Sequence, residues 1–149
     1  MAQAFAHVGP TFRLHVLRMA DTFSPAVVAF VTEHVRTLAE LQLLMAIIQS
    51  GDRWWDATSA ARELGLTLQD ARHALDHFCA HNLLDVRITE DVRYQYRPGT
   101  TELRAGADAC AMAFRRRPLD LAQLVTGPSA RSVRDFADAF RVRRKKTDG

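Results

Sequence analysis

Three observations predict a mainly α-helical (α+β) chain folded as a winged helix-turn-helix. Two helical periodicities meet at Gly65-Leu66, a stretch of strict alternation follows the second of them, and a helix apolar on nearly every side precedes both. The expected order is helix, helix, short extended piece, helix, turn, helix and a two-stranded wing, with extra helices at the N- and C-terminal ends. Residues 1–23 show no clear periodicity and read as an extension, 24–99 as the domain, and 100–149 as C-terminal helices with a basic tail suited to dimerisation.

Each element has a local reason. Ser24-Pro25 opens the first helix, because a serine hydroxyl accepts from free first-turn amides and proline is preset for that turn. Val28, Val31 and Val35 follow at helical spacing. Thr37 and Glu40 form a T-x-x-E capping box at the head of LAELQLLMAIIQ, which Gly51 stops. That second helix has no broad polar side, which marks it as central. In RWWDATSAARELG an extended piece leads to Asp56 as a cap, and Ala60, Ala61 and Leu64 face inward until Gly65. Trp54 and Trp55 are expected at the core or its edge, since large apolar rings are seldom left bare.

Thr67 with Asp70 caps the next helix, expected to run to about Asn82. Leu68, Ala71, Leu75, Phe78 and Asn82 share one face of it. Gln69, His73, Asp76, His77 and Ala80 lie opposite, with Arg72 on the flank. LLDVRI and VRYQYR then alternate around TED. Leu84, Val86, Ile88, Val92, Tyr94 and Tyr96 point one way; Arg87, Arg93, Gln95 and Arg97 point the other, giving a hairpin with a basic outer side. After Pro98-Gly99 the helical period returns. Leu103, Ala107, Cys110 and Phe114 form an apolar stripe. Ala105, Gly106, Ala109 and Ala113 form a small-residue face, suited to packing on the core or to close approach of a second chain. Pro118 restarts a short helix that ends at Gly127, and Val133, Phe136 and Phe140 line one side of the last segment.

Composition narrows the function classes. The chain has 149 residues, 48% hydrophobic and 25% charged, with a formal net charge of +3. No apolar run is long enough to span a bilayer and the start lacks a charged n-region, so neither membrane contact nor a secretory signal is expected, and the location expected is the cytoplasm. Cys79 and Cys110 form no Cys-x-x-Cys and are expected to stay reduced. There is no glycine-rich phosphate loop and no nucleophile motif, so the expectation is a non-enzyme without a cofactor. His73, His77 and His81 recur every four residues, the spacing of a partial Zn²⁺ or Ni²⁺ site. No nearby cluster supplies the missing carboxylate or thiolate, so no metal is expected. Charge is uneven: residues 1–114 hold 10 Lys and Arg against 13 Asp and Glu, and residues 115–149 hold 10 against 4.

The buried first helix, the Gly-Leu turn and the hairpin placed directly after the second helix make residues 24–97 resemble the winged-helix domains of MarR- and PadR-like bacterial transcriptional regulators. The tail AFRRRPLDLAQLV…SVRDFADAFRVRRKK resembles the end of a group of proteobacterial winged-helix proteins that closes on a FADAFR helix. The resemblance implies a homodimer on duplex DNA, with the second helix in the major groove and the hairpin at the backbone or minor groove. Thr67, Gln69, Arg72, His73 and His77 would then face DNA from the helix, glutamine suiting adenine and arginine guanine. Arg87, Arg93 and Arg97 would meet phosphates from the wing. Histidine protonation on that face would raise DNA affinity as pH falls. Asp70 and Asp76 oppose this reading and support a rival one, a winged-helix adaptor that docks on a protein partner without reading DNA sequence.

Overall fold

A computed structural model describes residues 22–127. The expectations for residues 1–21 and for the closing helix and tail of 128–149 lie outside the described residues. In order, the chain forms α1 (Pro25–His34), α2 (Leu38–Gln49), β1 (Trp54–Trp55), α3 (Ala57–Leu64), α4 (Leu68–Ala80), β2 (Leu84–Ile88), β3 (Val92–Tyr96), α5 (Thr101–Arg116) and α6 (Pro118–Thr126). This is the winged helix-turn-helix order, mainly helical with one antiparallel sheet of strand order β1-β3-β2.

The helix starts are set by side chains that accept from otherwise unpaired first-turn amides. Ser24, Thr37, Asp56, Thr67 and Thr100 accept from Val27, Glu40, Ser59, Asp70 and Leu103 at 2.7–3.3 Å. Each such cap stabilises its helix by about 1 kcal/mol. Glu40 does not complete the expected box by returning to the Thr37 amide. Its carboxylate accepts instead from the Arg36 amide at 2.7 Å and from the Arg36 guanidinium at 2.7 and 3.0 Å, which fixes the bend between α1 and α2. The turn between α3 and α4 hinges on Gly65 at φ 66°, a left-handed backbone that favours glycine. The Leu66 amide closes it by donating to the Ala61 carbonyl at 2.9 Å.

The core centres on α2, whose Leu41, Leu43, Leu44, Met45 and Ile47 are at most 1% exposed. Phe30 and Val31 of α1, Leu75 and Phe78 of α4, Cys110 of α5 and Leu121 of α6 close around it. Phe23, one residue ahead of the domain start read from sequence, is also buried there. No helix among the described residues is long and apolar enough to cross a membrane.

Several elements differ from expectation. The inward stripe of α1 is Val27, Phe30, Val31 and His34, with Val28 only partly buried, because α1 is rotated to present Phe30 to α5. Gly106 lies behind that ring: a Cβ there would stand 2.9 Å from Phe30 Cδ2, so the small-residue face of α5 receives α1 of the same chain. The extended piece is a strand that widens the wing to three, Trp54 pairing with Gln95 and Trp55 with Tyr94. Helix α4 stops at Ala80, and Asn82 adopts φ 63° in the turn to β2. Leu68, counted on the inward face, is 45% exposed because it sits in the first turn, beyond the end of the core. The wing also runs past the body. Leu84 and Tyr94 at its base are buried, but Val86, Val92 and Ile88 stay exposed, Ile88 at 74%.

Candidate nucleic-acid interface

Helix α4 has two sides with separate tasks. Ala71, Ala74, Leu75 and Phe78, spaced by one, three and four, are buried against the body. Gln69, Asp70, Arg72, His73 and Asp76 are all exposed on the other side. At 1.5 Å per residue the helix is roughly 20 Å long, enough to cross a major groove. The cap places this stripe: Thr67 Oγ accepts from the Asp70 amide at 3.0 Å, so the first turn carrying Gln69 and Arg72 is anchored at its root. Thr67 is itself exposed beside them.

The two carboxylates that opposed an anionic partner have structural uses. Asp76 accepts from the Tyr94 hydroxyl at 2.6 Å, tying the flank of α4 to β3. Burial, and then the bond and charge of Asp76, push the Tyr94 hydroxyl well above its ordinary value. Asp70 lies in the first turn, where a negative charge favours the positive end of the helix dipole.

His77 does not belong to the exposed stripe. Its Nε2–H donates to the His34 carbonyl at 2.8 Å, and its side chain is 11% exposed. His81 follows it inward, with its Nδ1 2.8 Å from His34 Nδ1. A step of four residues turns about 40° past a full helical revolution, so successive histidines drift from the outer face toward α1 and α2. Only His73 of the three remains outside. The sequence expected histidine charge on the outer face from the series, and His77 and His81 do not lie there. Among the described residues no group of three or more His, Cys, Asp or Glu could hold a metal ion.

The wing arginines are exposed as expected, but the ribbon is not net basic. Arg93 Nε lies 3.0 Å from Asp91 Oδ2, and Arg97 Nη1 lies 3.4 Å from Asp85 Oδ2. Arg87 stands opposite Arg93 across the strands, with its guanidinium 5.1 Å from the Trp54 ring. Residues 84–97 carry Asp85, Glu90 and Asp91 against these three arginines, a balance that counting arginines alone overlooks. Exposed pairs of this kind are worth about 0–1 kcal/mol, so a phosphate can take a carboxylate's place. The tryptophans support this edge. Trp55 is buried and donates to Ser50 Oγ at 2.9 Å, and Trp54 is half-buried beneath Arg87. Neither the arginine–tryptophan contact nor the Tyr94–Asp76 bond has a signature in local sequence, since the partners lie 33 and 18 positions apart.

No protein-family model and no curated protein matches the chain. Among solved structures the chain is similar to YusO of Bacillus subtilis, at 13% identity over 92% of both chains and a TM-score of 0.46. It is also similar to the MarR family protein Rv2887 of Mycobacterium tuberculosis in complex with DNA, at 18% identity over 85% of this chain and 94% of that one, TM-score 0.45. A third is wild-type MarR of E. coli in its apo form, at 16% identity over 91% of this chain and 97% of that one, TM-score 0.44.

Proposed function

We propose that this chain is a DNA-binding transcriptional regulator that seats α4 in the major groove of duplex DNA and lays the β2–β3 wing on the adjoining backbone, acting as a homodimer. One observation carries the reading: the stripe Gln69, Arg72 and His73 is exposed on a capped helix, directly beside a ribbon that presents Arg87, Arg93 and Arg97. Gln69 suits adenine and Arg72 guanine by bidentate pairing, while Thr67 and the wing arginines position the duplex through phosphates. His77 drops out of the reading set because its donor is committed to His34. The dimer draws on Met112 of α5 and Leu119 of α6, apolar side chains 52% and 79% exposed.

The test is a titration of random-sequence duplex at two salt concentrations with wild type and the triple variant Arg87→Ala, Arg93→Ala, Arg97→Ala. Each phosphate neutralised adds about 0.9 to the salt slope, so the variant should lose affinity and roughly three units of slope per protomer, about five for the homodimer. An unchanged slope would remove the wing from the interface.

A second reading has its own support. Val86, Ile88 and Val92 make an exposed apolar tip on a ribbon with balanced charge, which suits a protein partner better than a polyanion. Wild type that binds no duplex even at low salt would favour that adaptor.

A further inference from the structure

We propose that His34, His77 and His81 form a proton-operated joint between the end of α1 and the end of α4, closed when the rings are neutral and opened by acidification. Its consequence at DNA rests on the role given to α4 above; the joint itself does not.

The geometry permits few protonation states. His34 Nδ1 and His81 Nδ1 are 2.8 Å apart, room for one hydrogen between them. One ring therefore carries Nδ1–H and the other offers a bare Nδ1. His77 Nε2 faces the His34 carbonyl, which only accepts, so that nitrogen carries a hydrogen in every state. The last turn of α4 is thus held to α1 twice, both times through His34. A first added proton enters on the other nitrogen of the donating ring and leaves the bond in place; a further one, on the bare Nδ1, sets N–H against N–H and parts the rings. On the α1 side the Phe30 ring centroid is 4.8 Å from that of His34.

The charged neighbours come from every packed element. Glu33 of α1 stands 3.8 Å from His34 Nε2 but is 72% exposed. Glu40 of α2 is 4.0 Å from His77 Nε2 and already engaged by Arg36. Glu102 of α5 lines the same opening as Glu33 and His34. Burial is the largest influence on both members of the pair and holds each below the ordinary histidine value. Glu33 partly offsets it at His34, and the charges of His77, His34 and Arg36 add to it at His81. The sign follows. Groups kept neutral by folding contribute their full stability above the unfolded value of about 6.5, and that contribution is lost as pH falls through the lowered values.

A shared metal ion is the other chemistry three histidines suggest. The two Nδ1 atoms sit at hydrogen-bond distance, His77 has spent Nε2 on a carbonyl, and no third ligand completes a set among the described residues. The cluster is built for a proton.

Opening releases His81 from His34 while His77 still donates to the His34 carbonyl and Asp76 still holds the flank to Tyr94, so the helix that carries Gln69 and Arg72 keeps one of its two ties to α1 and is less firmly oriented. DNA affinity then falls on acidification, the reverse of the rise expected from sequence.

The experiment uses the full chain, wild type and His81→Gln, between about pH 7.5 and 5.5. Long-range ¹H–¹⁵N spectra of the wild-type rings should show one Nδ1–H and one bare Nδ1 for His34 and His81, Nε2–H for His77, and titration of the pair below 6.5. Amide protection over residues 77–81 should fall about tenfold more than that of α2 on acidification, and this excess should vanish in His81→Gln. Duplex affinity at fixed ionic strength should drop about tenfold for wild type and not for the variant. Two identical tautomers at pH 7.5, titration at or above 6.5, or the same pH dependence in both proteins would overturn the joint. Absence of duplex binding at every pH would end the DNA reading, with the ring spectra and exchange still deciding the joint.

Discussion

At the scale of single residues, backbone sign and unmet hydrogen bonds decide which substitutions matter. A Cβ at Gly65 would meet no atom within 4 Å, so Gly65→Ala suffers only from φ 66°. It should lower unfolding free energy by about 1 kcal/mol in chemical denaturation. Asn82→Gly, at φ 63°, should be neutral or slightly stabilising by the same measurement. The two tyrosines behave oppositely. Tyr94→Phe removes the 2.6 Å bond to Asp76 and should cost about 1 kcal/mol. Tyr96 buries a hydroxyl with no partner among the described residues, so Tyr96→Phe should be neutral or stabilising. These are the only tyrosines in the chain, so tyrosinate absorbance reports on them alone. Burial, and then the charge of Asp108, push Tyr96 to about 12, and Tyr94 lies higher still. No ionisation step should appear near pH 10, and the stability held below that pH should be lost as pH rises through the folded values.

At the scale of elements, the caps and the close helix approach are the exposed points. Thr67→Ala removes the acceptor for the Asp70 amide, and should cost about 1 kcal/mol and fray the turn that carries Gln69 and Arg72. Gly106→Ala drives a methyl against Phe30 and should lower the melting temperature, with a cost of about 1–3 kcal/mol. Features of this local kind were legible beforehand. Ser24, Thr37, Asp56 and Thr67 announce helix starts, Gly51 and Gly65 announce stops, and alternation from Leu84 to Tyr96 announces the ribbon. What escaped was set across space. Alternation gives the side on which Val86 and Ile88 point, not whether the body reaches that far. A helical wheel gives the angle of His77, but α1 and α2 decide whether that angle faces water. Asp85 and Asp91 were visible as letters; their engagement of Arg97 and Arg93 needed the fold.

At the scale of the whole molecule, charge and pH response follow from how the layers meet. Residues 1–114 are slightly acidic overall, so attraction to a polyanion is not a property of the body as a whole. With His34 and His81 both held below the ordinary histidine value by burial, the melting temperature should fall as pH drops below about 6.5, and His81→Gln should blunt that fall. A homodimer that reads DNA should set its two α4 helices about 34 Å apart on one side. Light scattering should report twice the 16.7 kDa chain mass, reduced by Leu119→Glu.

The paired guanidinium groups of the ribbon carry one more consequence. A lone phosphate arriving at Arg93 or Arg97 must evict a resident carboxylate before it gains anything, and the exchange is close to even. A duplex already aligned by the neighbouring helix offers several phosphates at once, and only then does the swap run downhill. The ribbon would thus work as a threshold: indifferent to stray anions, and responsive to a polymer that arrives in register.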